Sequence, residues 1–263
     1  MPRGISLHIG LNYEDQEFDR LCGAVDSACA MKNIADSLGY KSRLLPEKAA
    51  TKEAVTQAIE EAAKQLCDGD IFFLTYAGHG DCKRTTIETD GYDEGWFLSR
   101  DAAAGVGEAS LFDDELYELL TRFPAGGRIV IVSDSCMSGG MLTLARPKTK
   151  FEKRPMFADI AARRTGKTLA PASVILMASC PEAKVAKDGR FYMLFTSHLL
   201  KVWNGGGFLG NYHDFIGAIR CTMTKAGEQV LPELIVGPPP NDAFLAQRPF
   251  TIAAPVAARA AAG

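Results

Sequence analysis

Apolar positions along the chain fall into compact blocks separated by helical stripes. Ile5 to Leu11 is a compact apolar run with His8 inside it. Ala24, Val25, Ala28, Met31, Ile34, Ala35 and Leu38 then recur at helical spacing until Gly39 ends the pattern. Tyr40 to Leu45 predicts a second strand, and Thr51 predicts the N-cap of a helix with the stripe Val55, Ile59, Ala62 and Leu66. Ile71 to Tyr76 predicts a third strand running into a tight Ala77-Gly78-His79-Gly80, followed by a polar stretch to about Ser110. Asp113 opens a helix with Leu116, Leu119 and Leu120 inside. Ile129 to Val132 predicts a strand that breaks into Ser133-Asp134-Ser135-Cys136. Val174 to Met177 predicts another strand, Tyr192 to Trp203 and Tyr212 to Thr224 predict helices, and Leu234 to Val236 a last strand.

Strands rich in Val, Ile and Phe with little alternation suit a parallel sheet covered on both faces. With helices between them, the pattern predicts a doubly wound α/β fold. Two segments stand outside it. One is the basic stretch 146–170, and the other is the Ala-rich tail from Ala253 to Gly263, whose composition predicts disorder.

Composition changes this picture little. Hydrophobic residues make up 47% and charged residues 23%, as in ordinary globular domains, and a net charge of −3 supplies no basic footprint for nucleic acid. The apolar runs are far shorter than the roughly 18 residues a membrane span requires. The N-terminus reads as a first strand rather than a secretory signal, which makes the cytoplasm the expected location. Seven scattered cysteines, with no C-x-x-C pair, predict reduced thiols rather than a disulfide or zinc framework.

Ligands in open parallel sheets bind beyond the carboxyl ends of the strands. Two apolar strands end there in unusual sequences, one in Gly78-His79-Gly80 and the other in Asp134-Ser135-Cys136. As parallel neighbours they would put His79 and Cys136 on one rim. A thiol attacks a carbonyl as thiolate, and an adjacent imidazole both lowers its pKa and shuttles the proton. Glycines beside both residues let backbone N–H groups approach a substrate, so the Gly80 and Cys136 amides are candidates for an oxyanion hole. Alone, either residue reads as packing or turn. Together at two strand ends they read as a catalytic pair.

The pieces Asp70 to Gly80 and Val132 to Gly139 resemble the caspases, metacaspases and bacterial orthocaspases. Weaker support comes from Cys22 to Ala28, Asp90 to Glu94, Leu176 to Glu182, Phe195-Thr196 and Arg248-Pro249-Phe250. The resemblance implies a caspase-hemoglobinase fold, α/β with a central, mainly parallel sheet and helices on both faces. It implies one peptidase domain over 1–252, with a large-subunit-like part at about 1–145, a basic linker at about 146–170 and a small-subunit-like part at about 171–252. It further implies peptide hydrolysis through an acyl-enzyme on Cys136, with Arg or Lys as the P1 residue of protein or peptide substrates, and a monomer.

The chemistry agrees with that specificity. Asp134, beside the nucleophile, and Asp26, at the matching position of the family's other acidic pocket residue, would pair bidentately with a guanidinium in S1. The plain alternatives are a strand-end turn residue for Asp134 and a helix N-terminal charge for Asp26. Ala77 stands where many metacaspases carry Ser, and Met137 where many carry His; Cys180 reads as pocket wall. Calcium is the family's usual metal, and Asp93, Asp113 and Asp114 fall roughly where its ligands occur. Asp113 reads equally as a helix N-cap, and Leu142-Thr143-Leu144 lacks the further Asp the family often supplies. The reading is therefore that no cofactor is required. The linker carries Arg146, Lys148, Lys150, Lys153, Arg154, Arg163, Arg164 and Lys167, so an Arg/Lys-specific enzyme could cut itself there, although a solvated basic linker has the same composition. Two other functions compete. One is an inactive caspase-like interaction module, against which stand both His79 and Cys136. The other is a thiol esterase, against which stand the missing G-x-[SC]-x-G elbow and the order His before Cys.

Overall fold

The computed structural model describes residues 1–14, 20–84, 92–100, 109–136, 171–179, 192–229, 231–237 and 239–253. The basic segment 146–170, Asp90, Met137, Leu142 to Leu144, Cys180 and the tail beyond Ala253 lie outside them. The strands are β1 (Gly4–Gly10), β2 (Lys41–Pro46), β3 (Ile71–Arg84), β4 (Tyr92–Phe97), β5 (Ser110–Phe112), β6 (Arg128–Cys136), β7 (Ser173–Ala178) and β8 (Glu233–Val236). The helices are α1 (Ala24–Ser37), α2 (Lys52–Gln65), α3 (Asp113–Leu120), α4 (Leu194–Trp203), α5 (Tyr212–Lys225) and the short α6 (Asp242–Leu245).

The sheet runs β2-β1-β3-β6-β7-β8. All neighbours along it are parallel except β8, which pairs antiparallel with β7. The strands lack polar alternation because both faces are covered. Phe72, Leu74, Ile129 and Ile131 pack with α2 and α3, while Ile71, Phe73, Val130 and Val132 pack with α1, α4 and α5. Thr51 caps α2 as its position suggests, its hydroxyl accepting from the Ala54 N–H at 3.2 Å. At α3 the cap position is Phe112, and Asp113 is the first helical residue rather than the cap; the Glu115 carboxylate accepts the Phe112 N–H at 3.0 Å. At the opposite end of the sheet, buried Arg128 donates to the carbonyls of Gly69, Thr251, Ile252 and Ala253, strapping the C-terminal segment down.

Two local expectations change. The glycines around His79 do not make a tight turn: β3 runs through them without a break to Arg84. The polar stretch beyond contains two short strands, β4 pairing antiparallel with the far half of β3 and β5 pairing with β4. Gly78 is required for space. A Cβ there would lie 2.5 Å from the Tyr76 hydroxyl and 2.9 Å from that of Tyr13.

His8 is fully buried in β1, its Nδ1 sharing a hydrogen bond with Thr75 at 2.9 Å and its Nε2 without a hydrogen-bond partner. Burial lowers its pKa from 6.5 to about 3. A depressed histidine contributes stability that is complete above the unfolded value and is lost as pH falls from about 6.5 towards 3. In urea melts, His8→Gln should therefore gain on the wild type by about 1.4 kcal/mol per pH unit on acidification through that window. A stability difference that is flat with pH would contradict this.

Candidate active site

The chain leaves β1 for β2 on one side and places β3 on the other, so a topological switch point lies between β1 and β3. Next to it, the carboxyl ends of β3 and β6 carry His79, Gly80, Asp134 and Cys136. The parallel register of β3 and β6 sets His79 directly opposite Cys136 as its last pair, and Gly80 is the first residue of β3 to pair with β4, opposite Trp96. His79 thus sits where β3 passes from the parallel sheet into the antiparallel ribbon. Adjacent strands lie about 4.8 Å apart, within the span that a histidine and a cysteine can bridge.

Asp134 lies on β6 two residues before Cys136 and is 1% exposed. Its Oδ2 accepts hydrogen bonds from both the Thr196 N–H and the Thr196 hydroxyl, each at 2.7 Å, in the first turn of α4. Its Oδ1 is buried without a hydrogen-bond partner among the described residues. Burial raises the carboxyl from 3.8 to about 6, offset in part by the Thr196 bonds and by the Phe195 N–H. A buried carboxylate with one oxygen anchored on a helix N-terminus and the other unsatisfied is costly.

Asp26 is exposed in the first turn of α1. The two helix N-termini are tied together, since the Ser27 hydroxyl accepts the N–H of Met193, the N-cap of α4, at 2.9 Å. Asp26 therefore lies in the first turn of the helix tied to α4, whose own first turn anchors Asp134. Gly23, at φ 96°, packs against the backbone of Tyr192, where a Cβ would come within 2.9 Å.

The calcium candidates do not converge. Asp93 is buried, and one of its oxygens pairs with the Lys83 ammonium at 2.9 Å, while that ammonium also lies 3.7 Å from the Phe112 ring centroid. The other oxygen has no hydrogen-bond partner among the described residues. Asp113 and Asp114 open α3. Calcium requires about six to eight oxygen ligands, whereas among the described residues no group of three His, Cys, Asp or Glu side chains could hold a metal. No disulfide joins the described cysteines, and burial raises the Cys29 thiol above its ordinary pKa.

A set of hydroxyls and aromatic rings around His79 carried no motif and is visible only in the fold. The Tyr13 ring stacks on the imidazole with centroids 4.7 Å apart. Its hydroxyl accepts the His79 N–H at 2.9 Å and donates to the Phe97 carbonyl at 2.6 Å. The Tyr76 hydroxyl donates to the His79 carbonyl at 2.6 Å, and its ring stacks on Trp96. Trp96 in turn donates to the Ser133 hydroxyl at 3.0 Å, which lies 3.1 Å from that of Ser135, next to Cys136. An aromatic residue at the end of β1, beside the switch point, was the signal that could have pointed to Tyr13.

Comparison with known proteins agrees with this geometry. A family model described as the metacaspase, peptidase C14 domain matches residues 5–145. Metacaspase-7 of Arabidopsis thaliana is 31% identical over 150 residues, covering 54% of this chain and 36% of that protein. Metacaspase-1 of Schizosaccharomyces pombe is 30% identical over 152 residues, covering 53% and 35%. The aligned stretch thus spans about a third of the length of these curated relatives. A crystal structure of a Geobacter sulfurreducens protein superposes with a TM-score of 0.75 at 35% identity, covering 96% of this chain and all of that one. Caspase-1 of Spodoptera frugiperda shares the fold at a TM-score of 0.56 and 12% identity, covering 89% and 86%. The chain has the caspase fold and belongs to the metacaspase family, carrying its peptidase C14 domain.

Proposed function

We propose that this protein is a cysteine endopeptidase that hydrolyses peptide bonds after Arg or Lys, with Cys136 as nucleophile and His79 as general base. The observation that carries the reading is the parallel register setting His79 opposite Cys136 at the carboxyl ends of the neighbouring strands β3 and β6. Metacaspase relatives support the reaction class. The basic P1 preference rests on Asp134, whose unsatisfied buried oxygen suits a guanidinium or ammonium, with Asp26 supplying negative charge at the rim.

In the reaction the Cys136 thiol gives its proton to the His79 imidazole, and the thiolate attacks the scissile carbonyl to form a C–S bond. The Gly80 and Cys136 amides hold the oxyanion. Imidazolium then protonates the departing amine as the C–N bond breaks, leaving the acyl-enzyme. A water, deprotonated by His79, cleaves the C–S bond and restores the thiol. Every proton is carried by the dyad, so the chemistry asks for no cofactor. We further read the enzyme as a cytoplasmic monomer; no helix among the described residues is long and apolar enough to cross a membrane. Self-cleavage in the basic linker 146–170 follows from the same specificity.

Purified protein offered fluorogenic peptides ending in Arg, Lys or Asp, with calcium or with a chelator, tests this reading. Arg and Lys peptides should turn over in both buffers and the Asp peptide should not. Cys136→Ala should abolish turnover and keep the chain intact where wild type is nicked between 146 and 170. Turnover of the Asp peptide, or turnover that survives Cys136→Ala, would overturn the reading. Absence of turnover for every peptide would favour the inactive interaction module.

A further inference from the structure

We infer that Tyr13 is a positioning residue for His79, fixing the imidazole through its hydroxyl and its ring face together. This rests on the reading of His79 as the general base. β1 ends at Gly10, and beyond it β3 has no neighbouring strand on that side except for the Leu11 N–H, which reaches the Ala77 carbonyl at 3.0 Å. Hydroxyls take over the ladder at His79, with Tyr13 accepting its N–H and Tyr76 donating to its carbonyl. Two hydroxyl protons serve this cluster. They fit the two shortest contacts, Tyr13 to the Phe97 carbonyl and Tyr76 to the His79 carbonyl, both 2.6 Å. Burial holds both phenols well above their ordinary pKa, so each keeps its donor proton.

Tyr13 reaches this position only through an unfavourable backbone. Its φ is 62°, in the left-handed region that non-glycine residues rarely occupy. The Glu47 carboxylate holds it there, accepting the N–H groups of Asn12 at 2.8 Å and Tyr13 at 3.1 Å. The Asn12 side chain meanwhile accepts the first N–H groups of α1, from Ala24 and Val25. One loop therefore joins the orientation of His79 to the helix that carries Asp26. A strained residue that is anchored on three sides, with its ring laid 26° from parallel to the imidazole, is an arrangement suited to holding a catalytic group within the narrow tolerance that proton transfer demands.

The test compares Tyr13→Phe, which keeps the ring, with Tyr13→Leu, which removes ring and hydroxyl. Tyr40→Phe serves as control, since it loses a similar buried hydroxyl-to-carbonyl bond, to Phe250, far from the site. With an Arg peptide, kcat should fall about 10-fold for Tyr13→Phe and about 100-fold for Tyr13→Leu, with KM within about twofold, while Tyr40→Phe leaves kcat within about twofold. Independently of turnover, the His79 Cε1–H resonance, assigned by its loss in His79→Gln, should lose its ring-current shift in Tyr13→Leu and keep it in Tyr13→Phe. Folded Tyr13 variants with wild-type kcat, or an unmoved resonance in Tyr13→Leu, would overturn the inference. If wild type is inactive, the peptidase reading fails, and the resonance alone decides whether Tyr13 orients the ring.

Discussion

Replacing Asp134 by Asn is expected to stabilise the fold while removing hydrolysis after arginine. The folded-state pKa of Asp134 is raised, from 3.8 to about 6, so the folded chain holds the proton more tightly than the unfolded one. A raised carboxyl favours folding below the unfolded value, and that benefit disappears as pH rises through about 6. At pH 7 the ionised group costs on the order of 3 kcal/mol. Asparagine fits the same place without the charge. Its carbonyl oxygen can accept both Thr196 bonds, and its uncharged amide takes the place of Oδ1, which has no partner among the described residues. The melting temperature should therefore rise by roughly 5–10 °C for a domain of this size.

Activity should move the other way. Losing one member of a desolvated, hydrogen-bonded ion pair costs about 2–5 kcal/mol, so kcat/KM for an Arg peptide should drop about 100-fold or more. In wild type, kcat/KM for the same peptide should rise with pH through about 6 as Asp134 ionises, and Thr196→Val, which removes one bond to the ionised form, should push that limb to higher pH. An Asn variant that melts lower than wild type, or that still prefers Arg, would refute the assignment of Asp134 to the pocket.

The second large effect belongs to the dyad. On the proposed mechanism, Cys136→Ala removes the atom that forms the acyl-enzyme, and His79→Ala removes the group that carries the proton in both half-reactions. Because the two act as one unit, each substitution alone should cost about 10⁴-fold or more in kcat, and the double substitution little beyond either. Rates measured for the two single variants and the double variant decide this, and additive losses would mean that the pair does not work together.

Much of this architecture was legible in the apolar pattern. Runs such as Ile129 to Val132, with no polar alternation, imply strands buried on two faces, and a parallel sheet places their carboxyl ends on one rim. That logic brings His79 and Cys136 to one rim, and Asp134 joins them through the family resemblance. The same logic misread Gly78 and Gly80 as a turn. Gly78 is small because tyrosine hydroxyls approach it, a tertiary cause that local sequence does not carry. β4 was hidden by acidic residues and a glycine among its apolar positions. Tyr13 was hidden for a different reason. Its placement depends on a backbone held by Glu47, far along the chain, and on hydroxyl contacts that complete a sheet edge. The anchoring of Asp134 on Thr196 likewise joins two halves of the chain separated by the basic segment.

The most direct test of the central claim is covalent labelling with a peptidyl-arginine chloromethyl ketone, followed by peptide mapping by mass spectrometry. This account predicts stoichiometric alkylation at Cys136 alone, slowed by His79→Ala and by Asp134→Asn, with Cys22, Cys29, Cys67, Cys82, Cys180 and Cys221 unmodified. Labelling spread over the other cysteines, or labelling of Cys136 at an equal rate in the His79→Ala protein, would contradict it.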